Sequence, residues 1–213
     1  MALILHRAGI ISGLMPSLSY RTHAVDASDL TTYSFAGVDI GTADAVRYVI
    51  VGVAARNTTA DRTISSATIG GVSASIVVDG SSSFSQCAIL MAAVPTGTTG
   101  TIAITFSAAQ LRCGIAVWAA YNLQSATAVA TLATTSATLD VNAVTNGFVV
   151  GVTFGVSQTP VWSGLTQDLA DTVIESTNEF SAASASLLAA ATPRAISRSG
   201  AGTTPYSAIA SFR

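Results

Sequence analysis

The chain has 213 residues, with 9 Lys+Arg against 11 Asp+Glu, a formal net charge of −2, half its residues hydrophobic and only 9% charged. An ordinary soluble domain is about 25% charged, so the polar surface here falls to serine and threonine, which make up about a quarter of the chain. This balance excludes a basic nucleic-acid binder, an acidic disordered tail and a disulfide scaffold, and it names no chemistry.

Length suits a single all-β domain, since sandwiches and barrels often reach this size as one unit. Mean hydropathy is +0.56, yet the longest apolar runs, such as 148–152 and 187–191, fall far short of the ~18 residues a membrane-spanning helix needs. Arg7 follows the first apolar residues instead of preceding a long apolar stretch, so the start of the chain does not read as a secretory signal.

In chain order, residues 1–30 stand apart. They hold both histidines, His6 and His23, and the Pro16-Ser-Leu-Ser-Tyr stretch. Leu3, Ile4, Leu5, Ile10, Ile11 and Leu14 crowd together without strict alternation. This segment is expected to be an N-terminal arm that docks outside a β-sandwich domain spanning 31–213.

From there, period-2 patterning dominates. Strands are expected near 31–36, 46–56, 63–69, 72–78, 85–93, 101–106, 112–121, 127–132, 137–142, 147–155, 172–178, 181–190, 194–199 and 204–212. Ile102, Ile104 and Phe106 alternate with Thr101, Ala103 and Thr105, which is the signature of a half-buried strand. Gly70-Gly71, Asp79-Gly80, Pro95-Thr-Gly97, Thr99-Gly100 and Asn146-Gly147 punctuate the strands with residues that accept positive φ. Residues 165–179 are ambiguous, because Leu165, Leu169, Val173 and Ile174 recur at roughly helical spacing while Thr172, Val173 and Ile174 favour extension. Many short strands with close turns define an all-β, two-sheet β-sandwich. No linker, composition shift or fixed-period repeat divides it.

Candidate chemistry is sparse. Asp168, Asp171, Glu175 and Glu179 form the one acidic cluster, where paired carboxylates or a cation site are weighed against a solvated edge. Asp26 with Asp29, and Asp39 with Asp44, offer oxygen ligands for calcium or side chains for their own turns. Cys87 and Cys113 lack the spacing of a zinc site and read as buried thiols, with a cross-strand disulfide as the alternative. Trp118 faces either a core or an outer surface. Trp162, in a loop, either caps a core or presents an aromatic for sugar stacking. Both histidines lie within the first 23 residues and no Gly-x-Ser-x-Gly elbow occurs, so a hydrolytic triad is not expected. No catalytic, cofactor-binding or metal residues are assigned, and no cofactor is expected.

Four segments carry a resemblance: Arg47-Tyr-Val-Ile-Val-Gly-Val, Ala67-Thr-Ile-Gly-Gly-Val-Ser-Ala, the run from Ala88-Ile-Leu-Met to Thr105-Phe, and Val161-Trp-Ser-Gly-Leu. Over roughly 35–212 the chain resembles a β-sandwich module of tailed-phage and prophage virion proteins. The resemblance implies a jelly-roll-like sandwich in a non-enzymatic structural protein that decorates a capsid or forms part of a head fibre or tail appendage. It implies self-association, with a trimer expected, contact with major capsid or tail proteins, and a place in the virion after assembly in the host cytoplasm. Neither nucleic acid nor membrane is expected as a partner. The alternative reading is a carbohydrate-binding module used in host attachment.

Overall fold

The computed structural model describes residues 15–186, 188–200 and 202–213, and for Asp171 and Glu175 the backbone alone. The expected arm residues Leu3, Ile4, Leu5, Ile10, Ile11 and Leu14 lie outside the described residues. The first half of the chain runs through β1 (Ser17–Asp26), β2 (Leu30–Asp39), β3 (Arg47–Arg56), β4 (Ile64–Ile69), β5 (Val72–Ser73), β6 (Ser75–Ser82), β7 (Ser85–Ala93), β8 (Thr99–Gln110) and β9 (Arg112–Tyr121). The second half runs through β10 (Ala130–Thr134), β11 (Val141–Ala143), β12 (Phe148–Val156), β13 (Val161–Ser163), β14 (Thr166–Glu175), β15 (Asn178–Ala185), β16 (Ala191–Arg194), β17 (Ser197–Ser199) and β18 (Thr203–Phe212). No helix occurs among the described residues. The chain is an all-β sandwich.

The sheets stack three deep. A central sheet, ordered β1-β9-β3-β7-β6, is covered on one face by a second sheet, β2-β8-β4-β5, and on the other by a third, β10-β18-β12-β15-β14. Two small pairs, β11-β16 and β13-β17, supply residues to a further core on the outer face of the third sheet. Alternate residues of a strand point to opposite faces, so Val49, Val51 and Val53 face the second sheet while Ile50 and Ala54 face the third. Burial on both faces is why β3, β7 and β9 are almost continuously apolar. β8 keeps the alternation read from sequence because its outer face meets water.

The two halves of the chain share one topology. Replacing β1, β9, β3, β7 and β6 by β10, β18, β12, β15 and β14 reproduces the strand order, and β2 with β4 corresponds to β11 with β13. The long β8, which joins β2 to β4, is split in the second half into β16 and β17. Their five-stranded sheets face each other in reversed order, with β14 over β1 and β9, and β18 and β10 over β7 and β6. The repeat lies in strand connectivity, not residue spacing, which is why no sequence period betrays it. Between the sheets, Gly80, Cys87, Ala208 and Ala210 line the β6–β7 side, and Tyr20, Trp118 and Phe180 fill the side of β1 and β9.

Several local expectations are corrected. Within the expected arm, Ser17–Asp26 is β1, paired along β9 from Ser17↔Tyr121 to Asp26↔Cys113, so this part of 1–30 belongs to the sandwich. Asp79-Gly80 is no turn. Gly80 lies inside β6 because the Tyr206 hydroxyl occupies the place of a side chain. The turn falls instead at Ser83 and Phe84, with φ of 51° and 69°. Residues 165–179 form β14 and then a turn at Ser176-Thr177, where a strand over 172–178 is expected from sequence. Register shifts between Gln167 and Leu169 and between Leu169 and Thr172 mark bulges in β14. Each added residue moves the apolar phase, so Leu169 and Ile174 both reach the core and imitate a helical period.

Candidate functional site

Asp168 and Glu179, the two members of the acidic cluster whose side chains are described, do not converge. The register of β14 skips from Gln167↔Ala183 to Leu169↔Ala182, which leaves Asp168 as the bulged residue, and bulges re-aim side chains in this way. Its Oδ2 accepts a hydrogen bond from the Trp118 indole Nε1 at 2.8 Å. Burial pushes the Asp168 carboxyl above the usual carboxylate range, and hydrogen bonds from Ser184 and Trp118 only partly oppose it. Asp168 is therefore no solvated edge residue. Glu179 precedes Phe180 on β15, and Phe180 and Ala182 face the central sheet, so Glu179 sits on the opposite face of the third sheet. The side chains of Asp171 and Glu175 lie outside the described residues.

Tyr20 packs edge-on against Trp118, with ring centroids 6.0 Å apart. Its phenol is pushed up to about 12, chiefly by burial and then by the nearby Asp168 carboxylate. The exposed His23 has its Nδ1 3.4 Å from the Tyr20 hydroxyl. Both groups converge on one indole, the phenol edge-on against the Trp118 ring and the carboxylate on its N–H. These contacts tie the edge strands β1 and β14 to the buried Trp118.

Asp26, Asp39 and Asp44 are committed to turns. Asp26 accepts from the Ser28 backbone N–H, Asp44 from that of Val46, and Asp39 from that of Gly41. Asp39 also pairs with Arg21 at 2.7 Å, and that hydrogen bond holds its carboxyl below the usual range. Among the described residues no three His, Cys, Asp or Glu side chains gather as a metal site would require. Asp79 is different, since burial raises its pKa despite bonds from Gln86 and the Ile64 N–H. It anchors a buried chain in which Gln86 donates to Asp79 and Gln110 donates to Gln86.

Both cysteines are free and buried. Cys87 faces the third sheet and Cys113 the second, so the thickness of the central sheet separates them and no bridge forms. Burial pushes both thiols upward. Trp118 is fully buried, and the sequence-level choice between core and outer face dissolves because both faces of its sheet are core. Trp162 is 7% exposed, caps the outer core of the third sheet and donates from Nε1 to Ser181 Oγ at 2.8 Å. It offers no free ring face for stacking on a sugar.

Two features escaped sequence reasoning. The four strands of the second sheet carry one charged residue, Asp39. Across its outer face the pairings place Thr105 between Thr32 and Ser66, and Ala103 between Ser34 and Thr68, an array of small neutral side chains. At one end of the same sandwich, Ile40, Val94, Gly70, Gly71, Thr96 and Thr99 line an open groove of about 450 Å³, with no charged side chain among its described lining residues. Arg47, 1% exposed, holds the wall: its guanidinium donates to the carbonyls of Val94, Gly41 and Thr96 at 2.6–2.7 Å. The signal in the sequence was a lone arginine opening an apolar strand near two glycine-rich turns.

Fold and surfaces together define a stacked β-sandwich whose best-formed uncommitted features are a neutral sheet face and a neutral groove. No protein-family model matches the chain, and no curated protein sequence matches it.

Proposed function

We propose that this chain is a non-enzymatic structural subunit of a tailed-phage particle, which decorates the capsid or forms part of a tail appendage through symmetric self-association. The observation that carries the reading is the outer face of the second sheet, whose strands hold one charge. A surface kept soluble in isolation is about 25–35% charged, whereas a neutral face of Ser, Thr and Ala desolvates at low cost against a neighbour. The resemblance of the strand and turn segments to virion sandwich modules supports the setting.

In this reading the partners are further copies of the chain, as a trimer, and major capsid or tail proteins; the site of action is the virion. Leu3, Ile4, Leu5, Ile10, Ile11 and Leu14 act as a docking segment. Sedimentation velocity of the purified chain tests the association, and mass spectrometry of purified particles tests the location. A monomer at all concentrations, or particles that lack the chain, would overturn the proposal.

A further inference from the structure

The groove at the Arg47 end has a specific occupant. We propose that it receives the apolar segment 3–14 from a second copy of this chain, so that neighbouring copies exchange segments. The inference rests on the assembly reading above and names its acceptor site.

Position comes first. β1 joins the central sheet at Ser17, opposite Tyr121, which in turn lies opposite Arg47. Arg47 reaches from that row to the groove wall through the Val94 and Thr96 carbonyls. The segment therefore attaches to the sandwich at the groove's own end, where Met15 is 51% exposed and its carbonyl accepts from Asn122. Twelve residues, Leu3 to Leu14, span up to ~40 Å when extended, ample to cross to a neighbouring copy.

Chemistry is matched as well. The segment offers Leu3, Ile4, Leu5, Ile10, Ile11 and Leu14, with Arg7 its one formal charge. The groove runs over the buried Ile40 and Val94 and is rimmed by glycine and threonine, with no charge to repel or desolvate. Val46 and Val72, 45% and 39% exposed, stand beside Arg47 and Gly71 and extend the apolar surface available to an incoming strand. Because donor and acceptor share one end, each copy of a trimer can pass its segment to the next, and a ring closed in this way does not propagate as an open fibre.

The test uses the full chain. Leu5→Cys and Thr99→Cys are made separately, mixed and oxidised; Cys87 and Cys113 are buried and do not compete. A covalent dimer that joins the two variants is expected, roughly tenfold more abundant than with Thr131→Cys, an exposed control on β10 away from both the groove and the second sheet, because docking raises the effective concentration of the pair. Bridging no better than that control overturns the assignment. A chain carrying both substitutions that locks as a monomer also overturns it, since the segment then occupies its own groove. Sedimentation of the unmodified chain separates the two readings: an oligomer without the bridge removes the groove assignment alone, whereas a monomer removes both.

Discussion

Trp118 and Asp168, fifty residues apart in the chain, meet between the central and third sheets, where the indole N–H donates to the carboxylate at 2.8 Å. The contact joins the two topologically equivalent halves, because β9 belongs to the first and β14 to the second. It exists because a bulge turns Asp168 inward. Trp118→Phe keeps most of the ring packing and strips one donor from a half-buried carboxylate that retains its Ser184 hydrogen bond, so stability measured by urea unfolding should fall by about 1 kcal/mol.

Asp168 and Asp79 together set a pH dependence. Both have folded pKa values raised by burial, so the native state takes up protons before the unfolded chain does as pH falls. Stability therefore rises on acidification from above their folded values toward the ordinary carboxylate range. Asp39 has the opposite sign: its value is lowered by Arg21, and its contribution is lost as pH falls through that lowered value. Asp168→Asn keeps an oxygen acceptor for Trp118 and removes one titration, so the rise in Tm from neutral to mildly acidic pH should flatten. An unchanged slope in both Asp168→Asn and Asp79→Asn would refute this account.

Arg47 holds three carbonyls with one planar cation. A lysine ammonium cannot reach all three in that fan. Arg47→Lys should cost about 2–4 kcal/mol through the carbonyls it abandons, read by chemical denaturation. A loss below ~0.5 kcal/mol would place Arg47 among ordinary surface residues.

Gly114 probes the stacking of the sheets. A Cβ there would lie 2.7 Å from the Phe180 ring of the third sheet. Gly114→Ala should destabilise by about 1–3 kcal/mol through overpacking, and Phe180→Leu in the same chain should return part of that loss in a double-mutant cycle. Strictly additive effects would argue against direct packing of these two sheets.

Cys87 and Cys113 should stay silent toward a thiol reagent in the native protein and both react after denaturation without reductant. Their burial on opposite faces of one sheet dictates both results. A single slow-reacting thiol, or none after denaturation, would contradict the arrangement.

Much of the first half was legible. Alternation in β8 identified Ile102, Ile104 and Phe106 as inward residues, and Gly70-Gly71 marked a tight turn, with φ of 58° and 80°. Legibility failed where packing overrode local preference. Asp79-Gly80 carries turn chemistry, yet the Tyr206 hydroxyl needs the space at Gly80 and the strand continues. β1 lacks a clean alternation because an edge strand with a bulge between Tyr20 and Thr22 is only partly covered. The candidate acids were legible as a cluster in sequence, but the separation of Asp168 from Glu179 depends on register shifts that no spacing reveals.

From sequence alone came the all-β class, the poverty of charge and most of the strands of the central sheet, since period and turn chemistry act over a few residues. Only the tertiary structure decided that the central sheet has no outer face, that the cysteines stand apart and that Asp168 lies against Trp118. Period 2 says which side chains share a face of a strand; what covers that face depends on contacts between residues far apart in the chain, and burial, polarity and pKa all follow from that cover.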